Sequence, residues 1–198
     1  MDVLKLLEAA SLLVPEEMAT ENDLTVREVW EYLAQDEWEV ALGLLEEIGD
    51  VGPLPLSFWE GLATAATQLR LEKSAAWCRW RCDEARRGLV RADLTLRSAG
   101  ESRRRTPLPG AGVLRPMWNI GRRTLDGEPA LHIAGLWVEG IPFLAPGGRA
   151  TVRLAPFDSS GSSPWWHLRP GQVITMHEDR SVAGTAVVLE ARRPTATP

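Results

Sequence analysis

TPLPG at residues 106–110, FLAPG at 143–147 and LRPG at 168–171 punctuate the second half of the chain, and short runs rich in Val, Ile, Leu and Trp lie between them. Regularly spaced short strands with Pro-Gly turns are typical of an all-β barrel or sandwich. Because six strands in roughly 100 residues are enough to close a Greek-key barrel, we expect one here. Alternating apolar residues place its strands at 91–97, 113–120 (an edge or bulge, because of Pro116), 130–138, 149–154, 172–177 and 182–191.

The first 88 residues have a different pattern, with apolar residues at helical spacing. They predict four or five helices joined by short turns, which favours a small bundle or a pair of stacked hairpins. Thr25 with Glu28 and Ser57 with Glu60 have the spacing of capping boxes, and Val26, Trp30 and Leu33 are expected to face inward. The predicted fold is therefore α+β with two domains: an acidic all-α helical bundle at 1–88 and a six-stranded antiparallel β-barrel at 89–198.

The net charge of −5 hides an asymmetry between these halves. Residues 1–88 hold 8 basic and 18 acidic side chains, which gives −10, and residues 89–198 hold 14 and 9, which gives +5. Opposite charges on the two halves suggest two surfaces with different tasks. The alternative is that the two charges partly neutralise each other or are simply solvated.

Carboxylates dominate the polar faces of the predicted helices. They predict either a solvated surface or a docking surface for a basic protein, because complementary charge speeds association and selects partners. The candidate protein-binding residues are Glu28, Glu31, Asp36, Glu37, Glu39, Glu46 and Glu47.

No set of residues in the sequence matches a catalytic, metal or nucleotide site. Cys78 and Cys82 share one helix face but have no further ligand for zinc, so we expect small core residues. His132 is expected to be structural, and most of the nine tryptophans are expected in the core. No phosphate-binding loop is present, and the chain has only two lysines, Lys5 and Lys73. We therefore expect no enzyme, no cofactor, no metal and no bound nucleotide.

The ends and the hydropathy of the sequence predict no membrane span. No run approaches the roughly 18 apolar residues that cross a bilayer, and the N-terminus lacks a basic start followed by an apolar block. A cytoplasmic location is the expectation.

The order of motifs in the second half resembles the third domain of elongation factor Tu, the C-terminal β-barrel of that translational GTPase. Arg103-Arg104-Arg105-Thr106-Pro107 and Gly112 to Pro116 match its first two motifs, and Asp126-Gly127 and Pro146-Gly147 match its turns. The closing motif corresponds to residues 168–184. Ser102 and Arg103 replace a pair of glycines of that family, the last loop is shorter, and residues 159–166 are an insertion.

The resemblance implies a surface for RNA. In that family the threonine-proline loop and the last turn help to hold the T-stem of aminoacylated tRNA, and Arg104, Thr106 and Glu178 are the matching positions. Arginine forks grip phosphates bidentately. The candidate RNA-binding residues are Arg103, Arg104, Arg105, Thr106, Arg115, Arg122, Arg123 and Glu178.

Two functions follow as hypotheses. The first is a non-catalytic binding or regulatory protein with a translation-factor-like barrel that engages tRNA or a translation component. The alternative is an immunity or adaptor protein that neutralises a toxin or another basic protein through its acidic helical domain. An enzyme with a cleft between the halves is a third and weaker interpretation.

Overall fold

Helices form the first part of the chain, and strands form the second. The computed structural model describes residues 2–15, 25–102, 104–158, 160–179 and 181–195. The chain divides into two compact units, Met1–Arg86 with Thr195–Pro198, and Arg87–Pro194. The helices of the described residues are α1 (Val3–Ser11), α2 (Val26–Leu33), α3 (Trp38–Val51), α4 (Leu56–Gln68) and α5 (Glu72–Arg87).

The helical unit is built on the apolar stripes of these helices. Leu7, Leu45 and Phe58 are completely buried in one continuous core. Gly49 on α3 lets this core close, since a Cβ there would lie 2.4 Å from the ring of Trp59. None of the helices in the described part of the chain is both long enough and apolar enough to cross a membrane.

One of the two predicted capping boxes is present. The backbone N–H of Glu28 donates to Thr25 Oγ1 at 3.3 Å, and the backbone N–H of Thr25 donates to Glu28 Oε2 at 2.8 Å. The box predicted at Ser57 and Glu60 is wrong, because α4 already begins at Leu56 after Pro55 and has no side-chain cap. Ser57 is thus inside the first turn, where its hydroxyl cannot cap the helix.

The inward face of α2 also differs from the expectation. Val29 and Leu33 are buried, whereas Trp30 is 39% exposed. Val29 and Leu33 are four residues apart and share a face of the helix, and Trp30 is rotated away from that face by about 100°. A large side chain therefore remains available at the surface.

The second unit contains a closed antiparallel barrel with the strand order β1-β6-β4-β3-β7-β8. Six strands and an α+β architecture are as predicted. A short 3₁₀ helix, Pro164–His167, precedes β7, and its Trp165 is completely buried. The strands are β1 (Leu89–Leu96), β2 (Leu108–Pro109), β3 (Met117–Arg123), β4 (Pro129–Val138), β5 (Phe143–Leu144), β6 (Arg149–Pro156), β7 (Val173–Glu178) and β8 (Ser181–Arg192).

A two-stranded sheet outside the barrel was not predicted. The motifs TPLPG and FLAPG, interpreted as turns, each contribute two residues to it, with Leu108 paired to Leu144. Both leucines are buried in the barrel core, which explains why apolar residues interrupt these turn motifs. Strand β3 begins at Met117 rather than at 113, directly after Pro116.

The register of the barrel defines its two ends. Met117 at the start of β3 pairs with His177 near the end of β7, and Asn119 pairs with Thr175. We call the end that contains the last residue of β7 the Glu178 end. The opposite end, which contains the last residues of β3, is the Arg122 end.

Candidate binding surfaces

The hairpin of α2 and α3 carries the acidic surface. Residues 25–51 contain eight carboxylates and one arginine, Arg27. Thr25 caps α2, and four residues connect α2 to α3, so that these charges lie on two consecutive short helices. Asp36 in this connection has φ of 59°, a left-handed conformation that Asp tolerates better than most residues.

Four of the eight carboxylates accept hydrogen bonds from other groups of the helical unit. Glu28 belongs to the capping box, and Glu31 accepts a hydrogen bond from Arg27 Nε at 3.0 Å. Asp50 accepts one from the buried Arg81. Glu46 is half-buried, accepting from Ser74 Oγ at 3.3 Å and Cys78 Sγ at 3.2 Å. Glu46 is therefore not part of the exposed face on which it was predicted.

The other four carboxylates are exposed to solvent. No ion pair joins them to any side chain among the residues that the structure describes. Large apolar side chains on the same two helices are also exposed: Trp30 to 39%, Tyr32 to 37% and Val40 to 40%. We call the following set the acidic surface: Trp30, Tyr32, Asp36, Glu37, Glu39, Val40 and Glu47.

The apolar members of the acidic surface escaped sequence analysis. A tryptophan in an amphipathic helix is usually assigned to the core. The signal that could have corrected this is the pair Val29 and Leu33, which are four residues apart and define an apolar face from which Trp30 is rotated.

The structure separates the predicted RNA-binding residues into groups. At the Glu178 end, Arg104 Nε donates to Glu178 Oε1 at 2.7 Å, and Arg104 Nη1 donates to the carbonyl of Thr106 at 3.3 Å. Arg105 and Thr106 are exposed. The Arg104 guanidinium is thus held by an internal carboxylate, which reduces its charge toward a phosphate. Arg103 lies outside the described residues.

Arg122 and Arg123 lie at the other end. Five residues of strand separate Met117 from Arg122, about 17 Å at roughly 3.4 Å per residue. Arg123 Nη1 donates to the carbonyl of Gly127 in the following turn. Arg115 instead stacks on Phe157, with its Cζ 5.0 Å from the ring centroid. The predicted arginines therefore do not form one surface.

The two thiols of the helical core have raised pKa values. Burial, followed by the neighbouring Glu46, raises the pKa of the Cys78 thiol, and burial raises the pKa of Cys82 to about 11. Reactive cysteines need a lowered pKa. Both cysteines are buried and reduced, as small core residues.

Two histidines of the barrel, His132 and His177, have lowered pKa values. Burial lowers the pKa of His132, and Arg122 lowers it further against the opposing charge of Asp158. Burial and then Arg97 lower the pKa of His177, whose Nε2 lies 2.9 Å from Thr175 Oγ1. In the described ranges no three His, Cys, Asp or Glu side chains come together as a metal site would require.

Neither a protein-family model nor a curated protein matches the chain. Its function is therefore inferred from the side chains and their geometry.

Proposed function

We propose that the protein is a non-catalytic recognition protein whose helical unit binds a basic protein partner through the acidic surface. The observation that supports this most strongly is the imbalance of residues 25–51, with eight carboxylates against one arginine. Four of these carboxylates form no ion pair with a described residue. Exposed charge of one sign attracts a partner of the opposite sign and raises the rate of encounter.

The position of the acids argues against a purely structural role. Glu46, Glu47 and Asp50 lie in the last turns of α3, where no basic residue accompanies them. Carboxylates near a helix C-terminus oppose the helix dipole and destabilise the helix. Glu46 and Asp50 have internal donors, but Glu47 is exposed and gains no such compensation. A charge that costs stability is better explained by a partner.

The exposed apolar side chains supply the anchors that such a contact needs. Tight protein interfaces concentrate their binding energy in a few aromatic residues that are surrounded by polar ones. Trp30, Tyr32 and Val40 are half-exposed beside the carboxylates of the acidic surface. This combination suits an adaptor or an immunity protein that covers the basic surface of a toxin.

Affinity capture with matched variants tests this proposal. The acidic-surface variant combines Asp36→Asn, Glu37→Gln, Glu39→Gln and Glu47→Gln. A control variant changes the net charge equally with exposed acids of the barrel unit: Glu101→Gln, Asp126→Asn, Glu128→Gln and Asp158→Asn. Tagged wild-type protein and both variants are expressed in the native host, and retained basic proteins are quantified at low and moderate salt.

We expect a basic protein to be retained by the wild type and the control variant and lost by the acidic-surface variant. Trp30→Ala is expected to weaken the isolated complex by about 2 kcal/mol, as for an interface anchor. Equal loss in the two charge variants would show that retention depends on net charge alone, and would refute a specific acidic surface.

Binding of tRNA is a second candidate, and one observation favours it. Arg104, Thr106 and Glu178, which correspond to the tRNA-contacting positions of the resembled barrel, lie together at the Glu178 end. Arg105 is exposed next to them. We propose this narrower group, without Arg122 and Arg123, as the RNA-contacting surface.

A filter-binding titration with tRNA across salt concentrations tests the second candidate. Arg105→Ala should make the negative slope of log K against log salt less steep by about 1, as for one lost phosphate contact. Arg193→Ala, an exposed arginine outside this group, should leave the slope unchanged. A slope near zero for the wild-type protein would end the RNA proposal.

A further inference from the structure

A small polar cavity opens at the Arg122 end of the barrel. Its volume is about 200 Å³. Ligand pockets for drug-sized molecules measure roughly 300–1,000 Å³, so that this cavity suits a smaller group. Its lining comprises Ile120, Gly121, Arg122, Pro164, His167, Leu168 and Gln172.

The polar side chains of this cavity are suited to donating hydrogen bonds. The guanidinium of Arg122 carries only donors. The amide oxygen of Gln172 accepts from the backbone N–H of Arg169 at 3.4 Å, which assigns its Nε2 donor to the opposite side. The imidazole of His167 is a third polar group in the lining. None of the described lining residues is a carboxylate.

The wall that carries His167 is held in place by packing and hydrogen bonds. Trp165 is completely buried, and Leu168 is almost so. Ser163 Oγ donates to the carbonyl of Asp158 at 2.7 Å, and Trp166 Nε1 donates to the carbonyl of Ser160 at 3.0 Å. The 3₁₀ helix is thereby fixed at both ends. The backbone that carries His167 is therefore held in place before a ligand arrives.

The opposite wall depends on a glycine. Gly121 has φ of 81°, a conformation that residues with a Cβ rarely adopt, and its N–H donates to Asn119 Oδ1 at 2.9 Å. An added Cβ would lie 3.9 Å from Gln172 Nε2. The missing side chain thus leaves the space between Arg122 and Gln172 open.

Arg122 is the lining residue that carries a fixed charge, and this charge is positive. Arg122 acts on His132 in the direction that lowers its pKa, and Asp158 acts on the same ring in the opposite direction. Asp158 does not line the cavity. Arg123 and Arg169 adjoin lining residues along the chain and add positive charge.

We propose that this cavity binds the phosphate of a phosphomonoester. A tetrahedral oxyanion offers acceptor oxygens in several directions, which matches donors on three separate segments of the barrel better than a planar carboxylate does. The site does not depend on the acidic surface of the helical unit.

Isothermal titration of the full-length protein tests the site. The probes are inorganic phosphate, a 5′-phosphorylated ribodinucleotide and the same dinucleotide without the phosphate. Arg122→Ala should weaken binding of the phosphate-containing probes about tenfold or more, as expected for loss of a charged hydrogen bond. Arg97→Ala removes the same charge from an exposed residue at the Glu178 end and should change binding less than twofold.

Gln172→Glu is a second variant, which places a negative charge in the cavity and should abolish phosphate binding. Thermal unfolding of each variant checks that it is folded. Phosphate binding as tight as that of the phosphorylated dinucleotide would identify free phosphate as the ligand, whereas tighter binding of the dinucleotide would identify a phosphorylated nucleic-acid end. Absence of saturable binding by both phosphate probes, equal weakening by Arg122→Ala and Arg97→Ala, or equal binding of the unphosphorylated dinucleotide would overturn the proposal.

Discussion

Glu46 in the helical unit and Glu139 in the barrel are both partly buried carboxylates, but their surroundings are opposite. Glu46 accepts hydrogen bonds from the neutral groups of Ser74 and Cys78. Burial has the largest effect and raises its pKa, the hydrogen bonds from Cys78 and Ser74 lower it, and the net pKa is raised. The helical unit thus holds this carboxylate without a cation.

Glu139 is held by cations. Arg91 contacts it bidentately, from Nε at 2.8 Å and from Nη2 at 2.7 Å, and Arg153 Nη1 adds a bond of 3.3 Å. Burial raises the pKa of Glu139, but the hydrogen bonds and charges of Arg91 and Arg153 outweigh it, and the net pKa is lowered.

The difference shows how the two units use charge. The barrel places arginines against its own carboxylates, as Arg104 does with Glu178 and Arg149 with Asp93. The α2–α3 hairpin has one arginine for eight acids, so that its charge is compensated much less from within. An uncompensated surface is available to an external cation, which is the basis of the proposed protein binding.

Substitution of Arg81 is expected to have the largest effect on stability, because Arg81 is a cation buried within the helical unit. Its Nη2 donates to the carbonyl of Gly49 at 2.8 Å, and its Nε lies 3.1 Å from Glu84 Oε2. Its Cζ lies 4.1 Å from the centroid of the Trp59 ring. Arg81→Leu removes the cation that faces the buried carboxylate of Glu84 and should lower the free energy of unfolding by about 3–5 kcal/mol. Arg79→Leu, at an exposed position of the same helix, should cost about 0.5 kcal/mol in urea unfolding. Equal losses would contradict this role.

Glu139→Gln tests the carboxylate that is held by two arginines. Losing charged hydrogen bonds to two arginines should lower the free energy of unfolding by about 1–3 kcal/mol at neutral pH. Because its native pKa is lowered, the ionised Glu139 contributes stability above its ordinary value of 4.5 that is lost as the pH falls through the native pKa. The difference from the wild type should therefore shrink in acid. A constant difference across urea titrations at several pH values would be inconsistent with the ion pairs.

Glu46→Gln should change the free energy of unfolding in the opposite direction. Because the native pKa is raised, the folded protein binds this proton more tightly than the unfolded chain, and stability falls as the pH rises through 4.5 and then through the native value. Glutamine has no such penalty, so the variant should gain up to about 1 kcal/mol over the wild type at neutral pH. The gain should disappear below pH 4.5. Destabilisation at neutral pH would mean that the carboxylate is needed by Ser74 and Cys78.

Glu47 and Glu39 give the smallest and most specific effects. Glu47→Gln removes a charge that opposes the dipole in the last turns of α3, and should stabilise the protein by roughly 0.3 kcal/mol. Glu39→Gln removes a favourable charge from the first turn and should destabilise it by a similar amount. Thermal unfolding in low salt measures both. The same sign for the two variants would show that the dipole does not govern these positions.

Much of the fold followed from local patterns. The alternation of β1, β7 and β8 predicted these strands within a few residues, because buried residues alternate with less buried ones along much of each strand. Strands β4 and β6 were predicted equally closely, although the last five residues of β6 are all buried. The sheet of β2 and β5 was missed because Leu108 and Leu144 are single buried residues within turn motifs. Two-residue strands have no period that sequence could show.

The binding surfaces could be predicted from the sequence less well than the fold. Arg104 was predicted to bind RNA, but a carboxylate 74 residues away in the chain, that of Glu178, accepts a hydrogen bond from it, and such pairing depends on the register of the barrel. Trp30 was assigned to the core because it is large and apolar, whereas packing buries the face of Val29 and Leu33 instead. His167 and Gln172 meet Arg122 only because the 3₁₀ helix folds back beside β3.

The most direct test of the acidic surface is amide hydrogen exchange of the protein in complex with the basic partner that affinity capture isolates. We expect slowed exchange concentrated in Val26–Leu33 and Trp38–Val51, with exchange in the barrel strands unchanged. Protection at the Glu178 end of the barrel, with no change in α2 and α3, would contradict it.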